Sequence, residues 1–310
     1  MKAAIVGTGA VGAAAAMSIT VAGFARDLLL VNRTREKAKG TATDLRYGAP
    51  LWSAIDIKDG DYDALAGSAL MILTAGVNEK TGGATDRNDP AGRLRLLDAN
   101  VKIFEDTVPK MVKAEPSAPI LVLTDPPDPL VDICRRFAGH DKVFASSTYL
   151  DSLRLRVHLA KHLRVNAKSV TANVIGEHGT SSVFLWSGAQ VGGVPLAKVL
   201  AQRRIEFTDL RKTIEKEVRE ANISIIEGIG ASQYGIGMVA AELTRCVLRD
   251  ERAVLPVSAF NPKYGVAVSL PSVVGREGAG EVVWPAMSDE ESQALERSVG
   301  PFGNHSRNMP

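Results

Sequence analysis

Short apolar runs punctuate the first half of the chain, at residues 3–6, 28–31, 70–73, 120–123 and 143–145, with stretches between them long enough for helices. That rhythm predicts βαβ units and a parallel sheet. The runs lack strict apolar/polar alternation, as expected of strands covered on both faces. Residues 10–25 are small and apolar but carry Ser18, Thr20 and two glycines, so they read as a buried helix and a turn rather than a membrane span. Between 77 and 92 the chain turns polar, with Gly82-Gly83 and Asp89-Pro90 as turn signals, and reads as a long mobile loop, of a length that is usually functional or disordered.

Past Ser146 the rhythm changes. Helical patterns at 152–162 and 209–228 bracket alternating stretches at 170–174 and 183–186, which predicts a second, mixed α+β domain. The expected organisation is a parallel-sheet domain over residues 1–145 and a mixed α+β domain over 146–310, with 300–310 frayed.

Composition narrows the function. With 310 residues, 45% of them hydrophobic, the chain can build a core in each domain. The 37 basic and 35 acidic residues are spread along it and leave a net charge of only +2. No basic field of the kind nucleic acid or an anionic membrane needs is present, which leaves a small molecule as the expected partner. Cys134 and Cys246 lie far apart without CxxC or CxxH spacing, so buried free thiols are expected, with no disulfide framework and no metal. Met1-Lys2 leads directly into the first apolar run, leaving no room for a secretory leader, and a cytoplasmic location is expected.

Two motifs carry chemistry. Gly7-Thr8-Gly9-Ala10-Val11-Gly12 follows the first apolar run and precedes a helical stretch. Glycines at these spacings permit a tight strand-to-helix turn, close approach of backbone to a pyrophosphate, and close helix packing, with the helix amides of Ala10 and Val11 aimed at the phosphates. About 20 residues on, where an acid usually receives the adenine ribose, stands Asn32, followed by Arg33 and Thr34. Asparagine can bond a hydroxyl without repelling a 2′-phosphate, so NAD and NADP are both open. The second motif, Gly176-Glu177-His178-Gly179, places an imidazole in a short turn, where a side chain with an unperturbed pKa near 6.5 can move a proton reversibly. Asp151 and Arg154, three residues apart, share a helical face, and Arg154 could clasp a carboxylate with two parallel bonds.

Taken in order, Gly7 to Gly12, Thr74-Ala75-Gly76, Arg93-Leu94 with Asn100 downstream, Leu150-Asp151-Ser152-Leu153-Arg154, Gly176-Glu177-His178-Gly179 and Ala231-Ser232-Gln233-Tyr234-Gly235 resemble the lactate/malate dehydrogenase family at about its spacing. The resemblance implies a doubly wound parallel-sheet (Rossmann) domain of the α/β class followed by a mixed α+β substrate domain, and reversible oxidation of a small L-2-hydroxy acid with NAD or NADP. It implies a homodimer or homotetramer. It assigns the proton to His178 with Asp151 as partner, the substrate carboxylate to Arg154, polarisation of the carbonyl to Arg93, and a substrate-side hydroxyl to Ser232. Thr74, Ala75, Gly76 and Thr124 fall at cofactor positions.

The match departs from the family in two places. Thr124-Asp125-Pro126-Pro127-Asp128 stands where Asn-Pro-Val-Asp is usual, so Asp125 replaces an asparagine that touches nicotinamide and substrate. Two like charges 4 Å apart at an effective dielectric near 20 cost about 4 kcal/mol, so an ionised Asp125 bears on substrate choice. The loop before Arg93 is longer than usual and resembles that of branched-chain hydroxyisocaproate dehydrogenases. Asp86 and Arg87 fall nearest the position that sets substrate length, and Arg87 facing the substrate would favour a dicarboxylate. The alternative is a catalytically impaired dinucleotide-binding sensor or assembly protein of the same fold. An NAD-dependent glycosidase would need a metal-binding Cys/His set that the sequence lacks.

Overall fold

A computed structural model describes residues 1–77 and 92–307, with side chains for all of these but 92–94 and 300–307. The first half runs β1 (Lys2–Val6), α1 (Ala10–Ala22), β2 (Asp27–Val31), α2 (Arg35–Gly48), β3 (Asp56–Gly60), β4 (Ser68–Leu73), α3 (Gly92–Ala114), β5 (Ile120–Val122), α4 (Pro127–Ala138) and β6 (Val143–Ala145). Its six strands pair in parallel in the order β3-β2-β1-β4-β5-β6. Hydrophobic cores lie on both faces of the sheet, which is why β1, β2, β4, β5 and β6 read as unbroken apolar runs. The strand order reverses between β1 and β4, and a crevice opens beyond the carboxyl ends of these strands.

The second half continues as α5 (Tyr149–Leu163), β7 (Val170–Thr171), β8 (Val174–Ile175), β9 (Val183–Phe184), β10 (Gln190–Val191), β11 (Val194–Pro195), α6 (Leu196–Arg203), α7 (Phe207–Ile229), α8 (Tyr234–Arg249), β12 (Ala253–Asn261), β13 (Val266–Gly275), β14 (Gly278–Val282) and α9 (Asp289–Arg307). β12, β13 and β14 form an antiparallel meander that joins β6 through Ser258 and Ala145 and extends the sheet to nine strands. The remaining strands make two small sheets, β11-β10-β7 and β8-β9.

Several expectations need correction. β3 goes unpredicted because it lies at the sheet edge, where Asp-Ile-Lys-Asp-Gly buries only Ile57 and Gly60. The alternating stretch at 170–174 is two strands in different sheets, β7 and β8, rather than one. Residues 300–307 continue α9 instead of fraying. α1 is buried on one side only, through Ala15, Ala16 and Ile19; on its other face Gly237 of α8 lies so close to Ala14 that a Cβ would come within 2.7 Å of its carbonyl carbon, while Met17 and Val21 beside that contact stay exposed. Both cysteines are buried. The expected loop between 77 and 92 lies, apart from its two ends, outside the described residues. Among the described residues no helix is long and apolar enough to cross a membrane.

Candidate active site

The crevice is built by the turn after β1. Gly7 has φ of +108°, and a Cβ there would come within 2.6 Å of the Ala75 amide nitrogen. A Cβ at Gly12 would sit 2.0 Å from the Gly7 carbonyl oxygen, so only glycine lets α1 start this close to its own turn. At Gly9 a Cβ would meet nothing within 4 Å, because this residue faces the cavity. Gly9 caps α1 without a side-chain hydrogen bond, leaving the positive end of the helix to whatever enters. The Thr74 hydroxyl donates to the Gly7 carbonyl at 2.7 Å, and the Thr124 hydroxyl donates to the Ala75 carbonyl at 2.9 Å, so the ends of β1, β4 and β5 are tied together. These features fit a dinucleotide pyrophosphate.

At the end of β2, the Asn32 amide donates to Thr8 Oγ1 at 2.6 Å and its Oδ1 accepts the Thr34 amide at 3.0 Å. The side chain thus shapes the turn that a ribose would lie against and places no carboxylate there. Arg33 and Thr34 are exposed beside it.

Opposite the glycine turn lies an imidazole paired with a carboxylate. The stripe Ser152, Leu155, Leu159 and Leu163 buries one face of α5, and this packing turns Asp151 and Arg154, one helical turn apart, toward the cavity end of the helix. β8 is pinned to α5, since Ser152 Oγ accepts the Val174 amide at 2.8 Å and Thr148 Oγ1 donates to the Val174 carbonyl at 2.6 Å. The chain then turns at Gly176, with φ of +83°, and delivers His178. His178 Nδ1 lies 2.5 Å from Asp151 Oδ2, and Arg154 donates to Asp151 Oδ1 at 2.9 Å. Burial would raise the Asp151 carboxyl, yet the imidazole and guanidinium outweigh it and hold the group below its ordinary value. An ionised carboxylate between the imidazole and the guanidinium keeps the imidazole oriented and stabilises it when protonated.

A cavity of about 220 Å³ joins the two halves of the site. Gly9, Ala10, Val11, Thr74, Gly76 and Thr124 line one part of it, and Asp125, Arg154, His178 and Ser232 line another. Ser232 arrives from the junction between α7 and α8. Asn100 of α3 accepts the Val77 amide at 2.7 Å and donates to the Asp125 carbonyl at 2.7 Å, so it braces two edges of the crevice from behind. Arg93 is the second residue of α3, but its side chain, like the whole of Arg87, lies outside what the structure describes.

Sequence reasoning misses three contributors. Asn222 of α7 and Ser147 before α5 line the cavity, and buried Asp128 accepts the main-chain N–H of His178. Asn222 and Ser147 belong to no local pattern, and Asp128, which closes the Thr124 to Asp128 segment, makes its contact with His178 across the fold rather than along the chain.

Comparison with known proteins agrees with this geometry. The NAD binding domain of lactate/malate dehydrogenase matches residues 1–144, and the alpha/beta C-terminal domain of lactate/malate dehydrogenase matches residues 148–305. L-lactate dehydrogenase of Thermus aquaticus is 42% identical over 306 residues, covering 96% of each chain. That of Deinococcus radiodurans is 40% identical over 301 residues, covering 97% of this chain and 96% of its own. Among solved structures, a lactate dehydrogenase from a Medee basin deep-sea metagenome library superposes with a TM-score of 0.91 at 30% identity, covering 99% of both chains. The minor L-lactate dehydrogenase of Enterococcus mundtii gives 0.91 at 31% identity, covering 100% of this chain and 98% of that one. The two domain matches together span nearly the whole chain, and the chain belongs to the lactate/malate dehydrogenase family.

Proposed function

We propose that this protein is an NAD-dependent L-2-hydroxy acid dehydrogenase that interconverts L-lactate and pyruvate. The observation that carries the reading is the 2.5 Å contact of His178 with Asp151 in a cavity shared with the glycine turn and Arg154. When bound, the nicotinamide cofactor supplies or receives the hydride. In oxidation, His178 takes the hydroxyl proton of the substrate, and in reduction it returns a proton to the carbonyl oxygen. Its Nδ1 is held by Asp151, which assigns Nε2 to the substrate. Arg154 anchors the substrate carboxylate, and its existing bond to Asp151 fixes the guanidinium beforehand. Arg93 polarises the reacting carbonyl, and Ser232 contributes a hydroxyl on the substrate side.

The match to an NAD binding domain supports NAD as the cofactor. Asn32 in place of an acid keeps its preference over NADP narrow. Asp125 governs substrate choice from the wall of the cavity. Exposed Met17, Val21, Tyr234 and Met238 on α1 and α8 support a homo-oligomer, whose size sedimentation would give. A cytoplasmic setting suits the two buried free thiols.

The test follows reduced-cofactor absorbance with pyruvate, oxaloacetate and a branched 2-oxo acid, using both nicotinamide cofactors. Turnover highest with pyruvate and NADH supports the reading, and tight cofactor binding without turnover on any acid overturns it. Repeating the panel with Asp125→Asn should change the ranking of the acids; an unchanged ranking removes Asp125 from substrate choice.

A further inference from the structure

One buried carboxylate beside the site does not reach the cavity. Asp128, in the first turn of α4, is 4% exposed. Its Oδ2 accepts the main-chain N–H of His178 at 2.8 Å, and its Oδ1 accepts the Ser147 hydroxyl at 2.7 Å. Ser147 has φ of 37°, a left-handed conformation that a side chain rarely adopts, at the corner between β6 and α5. α5 carries Asp151 and Arg154. One carboxylate therefore touches both the turn that presents the imidazole and the corner that aims its partner.

We infer that Asp128 is a positioning residue for proton transfer, locking the His178 turn to the β6–α5 corner and so setting the imidazole against Asp151. The inference rests on the dehydrogenase reading. Hydrogen bonding explains the choice of residue: a buried amide and a buried hydroxyl both need acceptors, and a carboxylate offers two diverging oxygens. The neighbouring amide is held separately, since Glu177 N–H donates to Ser298 Oγ of α9 at 2.9 Å. Two successive amides of the turn are thus clamped by two different helices, and only the clamp at His178 leads back to α5. Burial pushes the Asp128 carboxyl up from its ordinary value, against the pull of the Ser147 and His178 hydrogen bonds. The task accordingly depends on acceptor geometry more than on charge.

Asparagine at 128 can preserve that geometry. Its amide oxygen accepts the His178 N–H, and its amide nitrogen donates to the Ser147 hydroxyl, which can accept as well as donate. Alanine removes both contacts. Holding a catalytic group about 1 Å out of place costs on the order of 10²-fold in rate. Asp128→Ala should therefore lower kcat for pyruvate reduction by about 10²-fold with KM for NADH changed less than about threefold, while Asp128→Asn stays within about threefold of wild type in both. Ser147→Ala breaks the link at its other end without emptying the carboxylate site and should lower kcat about tenfold, which keeps the idea testable if the alanine variant at 128 does not fold. Unchanged kcat in Asp128→Ala or in Ser147→Ala overturns the inference, as does an Asp128→Asn variant that loses as much as alanine. Wild type without turnover would instead overturn the dehydrogenase reading itself, so the two failures are distinct.

Discussion

Asparagine at position 151 keeps the shape of the side chain and removes its charge. In the structure both oxygens are committed, one to His178 at 2.5 Å and the other to Arg154 at 2.9 Å, and the side chain is 7% exposed. The amide cannot serve both partners: with its oxygen on the imidazole, its NH2 group faces a guanidinium that can only donate. The larger loss is electrostatic. Charge centres about 4 Å apart at an effective dielectric near 20 attract by about 4 kcal/mol, and the protonated imidazole formed in hydroxy-acid oxidation forfeits that stabilisation. Converted at 1.36 kcal/mol per decade, kcat should fall roughly a thousandfold. Reduction of pyruvate needs the imidazole protonated beforehand, so its alkaline limb should move to lower pH in the variant. The assay is steady-state turnover in both directions across pH, with cofactor affinity measured separately. A kcat within about tenfold of wild type, together with an unmoved profile, would refute the argument.

Two other perturbations test separate parts of the account. The buried Asp132 carboxylate accepts the Ala267 amide with both oxygens at 3.0 Å, and burial raises it from 3.8 to about 6. The native state then holds a proton that the unfolded state releases, so this group's contribution to stability falls as pH rises from about 4 to about 6, by about 3 kcal/mol at 1.36 kcal/mol per pH unit. Denaturant melts of Asp132→Asn should gain on wild type across that window, and parallel curves would contradict the assignment. The double variant Asn32→Asp with Arg33→Ala restores an acid to the ribose turn and removes a neighbouring cation. The ratio of kcat/KM with NADH to that with NADPH should rise at least tenfold, on the scale of one charged hydrogen bond, and an unmoved ratio would remove this turn from cofactor choice.

The parallel half of the sheet was legible because both faces of its strands are buried, which leaves continuous runs such as Leu28-Leu29-Leu30-Val31. β3 escaped notice because an edge strand needs only half that burial. The antiparallel meander went unread although β13 is buried almost throughout, because Pro256 and Ser258 in β12 and Ser269, Pro271 and Ser272 in β13 interrupt its apolar residues. In the site, residues that need a special chemistry announced themselves, as did glycines that need a special backbone. Asn100 was visible only through family resemblance, and Asp128 and Ser147 not as site residues at all, because their function is to connect distant segments. Such a role depends on what folding brings near, and a linear reading does not contain it.

The central claim is that His178 moves the proton. Its most direct test is the rate of NADH oxidation with pyruvate by wild type and by His178→Asn, each with its NADH affinity measured alongside. The account predicts turnover by wild type and a loss of about 10² to 10⁴ in kcat in the variant, with NADH bound as before. Comparable kcat in the two proteins would contradict it.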